Sequence, residues 1–221
     1  MLKNKLIAAI VTPAVVIASA GVLVAAGPRE SAVAGAVGAS ATAAISEAAT
    51  YDTDKVHSGV VFWIRHAGVT NFHGRFNEID GTFTYDEANP TASTFNFEIS
   101  TESIDTGNNS RDGHLRGSGY FNTKQFPTAS FTSSSVKAAG DGFELHGDLT
   151  MSGVTRPIVA DLTLFGTNNF RGKDVSGFTA EFSFKRADFG MTTSLAPDGG
   201  EGGGLGNTVN VTVFVEGIKQ G

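Results

Sequence analysis

From residue 51 to the C-terminus, apolar side chains recur at every second position. Phe95, Phe97 and Ile99 alternate with Thr94, Asn96, Glu98 and Ser100. Phe143, Leu145, Gly147, Leu149 and Met151 alternate with Glu144, His146, Asp148 and Thr150. The same holds for Phe178, Ala180, Phe182 and Phe184, and for Val209, Val211, Val213 and Val215. Successive side chains of a strand point to opposite faces, so each run has one apolar face and one wet face. Further candidates over 56–66, 72–85, 129–136 and 158–165 bring the number to about eight strands. Between them lie turn-forming stretches such as Asp86-Glu87-Ala88-Asn89-Pro90 and Ala138-Ala139-Gly140-Asp141-Gly142. No amphipathic helix of crossover length intervenes. The fold class is therefore all-β and antiparallel, closed as a barrel or folded as a sandwich. The one good helical stretch is short, 108–116, with Asn108 or Ser110 as its N-cap.

The first fifty residues are different. They contain 16 Ala and none of the 17 Phe or 5 His. Lys3 and Lys5 precede an apolar stretch over 6–26. Cleavage after Ala18-Ser19-Ala20 would leave an apolar segment of 12 residues, 6–17, the size of a signal-peptide core. Left uncut, the 21 residues of 6–26 are long enough to anchor in a bilayer. Residues 1–26 are thus read as a signal peptide or N-terminal membrane anchor. In 27–50, 17 of 24 residues are Ala, Gly, Ser or Thr, too little apolar bulk to offset ordering entropy. That stretch is read as a linker, with a barrel domain over 51–221. Export is the expected outcome.

Composition removes several functions. There is no Cys, which excludes disulfides, thiol nucleophiles and cysteine metal sites. A net charge of −6 without basic runs argues against nucleic acid as a partner. Hydrolase, zinc-protease and nucleotide-loop motifs are missing. The glycine-rich run 199–206 fits neither phosphate-binding fingerprint and reads as a floppy hairpin loop. Asp52 and Asp54 lack the rest of a calcium loop, and the histidines do not cluster. No metal and no cofactor is expected.

Polar chemistry concentrates in Arg111-Asp112-Gly113-His114-Leu115-Arg116. On a helix Arg111 and His114 share a face, and Asp112 meets Arg116 at i, i+4. This reads either as a solvated helix with one ion pair or as a ligand-facing pair, since an arginine fork suits phosphate oxygens. Arg65, Arg156 and Arg186, each beside a strand, carry the same ambiguity.

Several segments resemble the YceI-like family of polyisoprenoid-binding proteins. They include Asp54-Lys55-Val56-His57-Ser58, His66-Ala67-Gly68-Val69-Thr70, Ser103-Ile104-Asp105-Thr106 and the 111–116 run. Phe126-Pro127-Thr128-Ala129-Ser130-Phe131, the run from Gly147 to Pro157, and Arg186-Ala187-Asp188-Phe189-Gly190-Met191 follow in the family's order. Gly117-Ser118-Gly119 departs from it, where the family usually carries a Ser and an acidic residue. The resemblance implies a lipocalin-like antiparallel barrel with an apolar internal channel, a periplasmic or secreted setting, and a non-covalently held polyisoprenoid or similar long-chain lipid. A prenyl quinone or a polyprenyl phosphate is the expected ligand, with the membrane as its source. By parity the channel lining is expected to include Phe62, Ile64, Phe95, Phe97, Leu149, Leu162, Phe182 and Val211. His66, Arg111 and His114 are expected at the polar end. The alternative is a lipid-modifying hydrolase or isomerase using His66, His114 and Asp112.

Overall fold

The structure, a computed structural model, describes residues 48–221. The segment read as signal peptide or anchor, 1–26, lies outside the described residues, as does nearly all of the linker. Eleven β-segments follow: β1 (Ala49–Thr53), β2 (Gly59–His66), β3 (Thr70–Phe76), β4 (Ile79–Tyr85), β5 (Thr94–Ser100), β6 (Ile104–Asp105), β7 (Thr128–Ala139), β8 (Gly142–Met151), β9 (Val154–Phe170), β10 (Lys173–Lys185) and β11 (Leu205–Lys219). The first strand thus starts two residues inside the expected linker. One α-helix, α1 (Asn109–Leu115), stands between β6 and β7.

The eleven segments close into a barrel of eight strands, because three of the eight are broken in two. Along one edge, β11 pairs with β2 over Leu205–Phe214 and then with β1 over Gly217–Lys219. β3 pairs with β2, and β4 with β1. β5 then pairs with β4, and β6 with β3. From β5 the sheet runs through β7, β8, β9 and β10 to β11, antiparallel throughout.

The breaks have side-chain causes. At the first, Asp54 Oδ1 accepts from the Val56 amide at 2.9 Å, a local turn that competes with the ladder. Ser58 then repairs the ladder: its hydroxyl donates to the Glu216 carbonyl and accepts from the Glu216 amide. At the second, Ser103 accepts from the Glu78 amide at 3.1 Å. The tight hairpins are left-handed at both central residues, Ser152-Gly153 joining β8 to β9 and Arg171-Gly172 joining β9 to β10. That geometry matches the strand twist and favours glycine at its second position.

Parity decides which side chains face inward, but the interior is not uniform along its axis. At one end Tyr51 stacks on Phe83 at 5.0 Å and Phe83 on Phe95 at 6.0 Å. Phe178 meets Phe83 and Phe95 edge-on at 5.3 and 4.9 Å and Phe97 tilted at 5.6 Å. Leu162, Leu145, Val136 and Ile79 are buried in the same cluster. This aromatic plug fills its half of the barrel. The other half is hollow.

Candidate functional site

The hollow half is a cavity of about 700 Å³, within the range of small-molecule sites. Phe62, Ile64 and Val60 from β2 form one wall, and Leu149 and Met151 from β8 another. Phe182 and Phe184 from β10 and Val209 and Val211 from β11 complete the apolar lining, with Phe76 and Phe121 beside them. His66, Arg111 and His114 also line it. Phe95, Phe97 and Leu162 do not. They face inward as parity requires, yet they lie at the level of the plug, where neighbouring rings occupy the space. Alternation reports the face of a strand and not the depth along the barrel.

Helix α1 covers part of the polar end. Asn108 caps it, its Oδ1 accepting from the Arg111 amide at 3.0 Å. Arg111 Nε donates to Thr106 Oγ1 at 2.8 Å and Nη2 to the Thr106 carbonyl at 2.6 Å. Its guanidinium lies 4.5 Å from the centre of the Phe72 ring, a cation–π contact. The helix therefore orients Arg111 through a strand-end threonine and an aromatic face.

The expected Asp112–Arg116 ion pair does not form. Asp112 is buried and its Oδ1 accepts from both the Thr106 amide and the Thr106 hydroxyl. Arg116 pairs instead with Glu102, Nε to Oε1 at 3.2 Å, and donates to the Glu102 and Ile104 carbonyls. Helical spacing allows the pair on an isolated helix. Here a buried carboxylate facing two waiting donors is the stronger arrangement.

The glycine-rich loop is also anchored rather than floppy. Glu201 accepts from the Asn207 and Thr208 amides and from Thr208 Oγ1. Arg186, 2 % exposed, donates to the Gly206, Met191 and Leu205 carbonyls at 2.7, 2.7 and 2.9 Å. Arg186 itself lines the cavity. The sequence places it beside a strand, but nothing there distinguishes a buried arginine from a surface one. Phe72 and His73 from β3, Tyr120 and Phe184 also line the cavity and were not singled out. Phe184 shares the parity of Phe182 and was readable by that rule.

His66, His114 and Asp112 do not assemble. Among the described residues, the single group of three such side chains with ligating atoms within 4.8 Å of one another is Asp54, His57 and Glu216. That trio sits at the β1–β2 break, away from the cavity lining. His57 Nδ1 lies 3.0 Å from Asp54 Oδ2. That hydrogen bond holds the Asp54 carboxyl below, and the His57 imidazole above, their ordinary values.

The YceI-like domain model matches residues 51–217. Protein YceI of Escherichia coli O6:H1 is 42% identical over 177 residues, covering 78% of this chain and 88% of the relative. A Campylobacter jejuni YceI crystal structure superposes with a TM-score of 0.60 at 27% identity, covering 69% of this chain and 88% of the other. A domain from Saccharophagus degradans, described as polyisoprenoid-binding and implicated in plant cell wall breakdown, shares the fold. Its TM-score is 0.55 at 16% identity, over 79% of this chain and 100% of that one. An eight-stranded barrel plugged at one end, hollow at the other and matched from its first strand to its last belongs to the YceI-like family.

Proposed function

We propose that this chain is an exported carrier that holds a polyisoprenoid lipid, a prenyl quinone or a polyprenyl phosphate, non-covalently in the hollow half of the barrel. The observation that carries the reading is a cavity walled by Phe62, Ile64, Leu149, Phe182 and Val211, with Arg111, His114 and His66 also on its lining. Apolar walls favour a hydrocarbon tail by about 25 cal/mol per Å² removed from water, and a few polar groups on such a wall orient a head group. The name of the Saccharophagus domain supports the same ligand class. Binding is favoured over hydrolysis or isomerisation because Asp112 is engaged with Thr106 and does not gather with His66 and His114. The lysine-led apolar segment over 6–26 supports export to the periplasm or beyond, with cleavage or anchoring as its two outcomes. The membrane then serves as the lipid source, and no cofactor takes part.

The test is native mass spectrometry of the full chain purified from a membrane-containing host, followed by organic extraction. A bound mass that extracts as a prenyl lipid supports the carrier. A bare polypeptide mass, together with failure to take up prenyl quinone or prenyl phosphate afterwards, refutes it.

A further inference from the structure

The charge of the cavity lining is one-sided. The chain as a whole carries 22 acidic residues against 16 Lys and Arg. Yet among the described residues no Asp, Glu or Lys lines the cavity, while Arg111, Arg186, His66, His73 and His114 do. An apolar wall disfavours charge of either sign, so the informative asymmetry is that the side chains retained there that can carry charge near neutral pH are all basic.

Arg186 sharpens the point. It is 98 % buried by its 2 % exposure, and burial pulls its guanidinium below the ordinary arginine value. A buried charge is costly unless it is paired, and among the described residues Arg186 has no carboxylate within 4.0 Å. Its partners are three backbone carbonyls, which account for three of its five N–H groups. Glu201 favours the charged form of Arg186 through space, but it stands beyond 4.0 Å and its oxygens are bonded to the start of β11 and to Lys185 at 3.3 Å. Arg111 is exposed and so free of that burial cost, but among the described residues it too has no carboxylate within 4.0 Å: two of its N–H groups are bonded to Thr106 and its face is stacked on Phe72. Two guanidiniums, neither in direct contact with a carboxylate among the described residues, therefore border one apolar cavity.

We propose that this cavity selects an amphiphile with an acidic head, phosphate or carboxylate, over the same chain ending in an alcohol or a quinone. The proposal rests on the carrier reading above and narrows it to one class of head group. The ligand's charge completes the two arginines, which phosphate and carboxylate oxygens suit because a guanidinium offers paired parallel donors. The hydrocarbon chain occupies the hollow half as before.

The experiment uses delipidated full-length protein and four ligands on comparable prenyl tails: geranylgeranyl monophosphate, geranylgeranoic acid, geranylgeraniol and a prenyl quinone. Affinity is read by calorimetry at low and high salt. The phosphate and the acid are expected to bind about ten- to a hundred-fold more tightly than the alcohol, the range for hydrogen bonds to charged groups. The gap should narrow in high salt as the charge is screened. The phosphate and acid arms separate the two acidic head classes; preference for either over the alcohol sustains the proposal. Arg111→Gln should shrink the gap between the two acidic ligands and geranylgeraniol. Arg186→Lys tests the buried site, and its melting temperature is measured beside binding because the residue also holds the loop. Equal affinity for all four ligands overturns the acidic-head selection and leaves the carrier standing. Failure of all four to bind overturns both.

Discussion

Phe178 and Phe182 lie four residues apart on β10 and face the same interior, so replacing each by alanine tests the division of the barrel into a filled and a hollow half. Phe178 is 3 % exposed and touches three other rings at 4.9, 5.3 and 5.6 Å. Each aromatic pair adds about 0.5–1.5 kcal/mol beyond area burial. Phe178→Ala should therefore reach the upper end of the range for buried phenylalanine, about 5 kcal/mol. For a barrel of this size that is a melting temperature lower by about 10–20 °C. Phe182 borders the cavity and has one ring neighbour, Phe184, at 6.3 Å. An atom facing a void has no packing partner on that side, so Phe182→Ala should cost about 1–2 kcal/mol. The ligand order is reversed. Phe182→Ala removes a wall of the site and should weaken geranylgeraniol roughly ten-fold, about 1.5 kcal/mol, whereas Phe178→Ala should leave affinity close to wild type. Circular dichroism melts of delipidated protein give the first quantity. Calorimetric titration of the same protein with geranylgeraniol gives the second. Equal losses of stability in the two variants, with lipid affinity unchanged by Phe182→Ala, would refute the hollow half.

Three further outcomes follow from named contacts. Asp112→Ala strands the Thr106 amide and hydroxyl and should cost about 1–3 kcal/mol; in a double-mutant cycle with Arg116→Ala the coupling should stay under about 0.5 kcal/mol, because the two side chains do not pair. Gly74→Ala would put a methyl group 2.8 Å from Phe62 Cε1 and 2.9 Å from Thr106 Cγ2. The ring must swing toward the cavity, at a cost of about 1–3 kcal/mol, and titration should show weaker uptake of prenyl alcohol. The Asp54–His57 contact sets a pH dependence with two flanks: the lowered Asp54 adds stability that is lost as pH falls through its folded value. The raised His57 adds stability that is lost as pH rises through its own. Wild type should thus gain most over His57→Ala in mildly acidic buffer, and superimposable melting profiles across pH would show that the contact contributes nothing.

Strand count, antiparallel pairing and the short capped helix were legible because each depends on local periodicity or on a cap within three residues. Phe62, Ile64, Leu149, Phe182 and Val211 were placed on the cavity wall by the same rule that misplaced Phe95, Phe97 and Leu162. Depth along a barrel is set by register and shear between strands distant in sequence, which no single run records. The breaks at 54–58 and 77–78 were equally hidden, since Ser58 and Ser103 act through backbone groups 158 and 25 residues away. Arg186 shows a third limit. Its burial follows from the return of the 205–207 backbone over it, a long-range event. Asp112 and Arg116 illustrate the converse, where a sound local rule lost to a tertiary hydrogen bond.

An interior that is half void links the stability of the protein to what surrounds it. Anything that binds the folded chain and not the unfolded one adds RT ln(1 + [L]/Kd), about 2.7 kcal/mol when free lipid stands a hundred-fold above Kd. At 2–4 °C per kcal/mol that is a rise of about 5–11 °C. On the carrier reading, the melting temperature of this chain is a gauge of lipid supply as much as a property of its sequence. Preparations from hosts of different prenyl-lipid content would melt apart, and organic extraction would bring them to a common value. Resistance to proteolysis would track the same mass action, so protein starved of lipid would be cleared faster than protein that is filled.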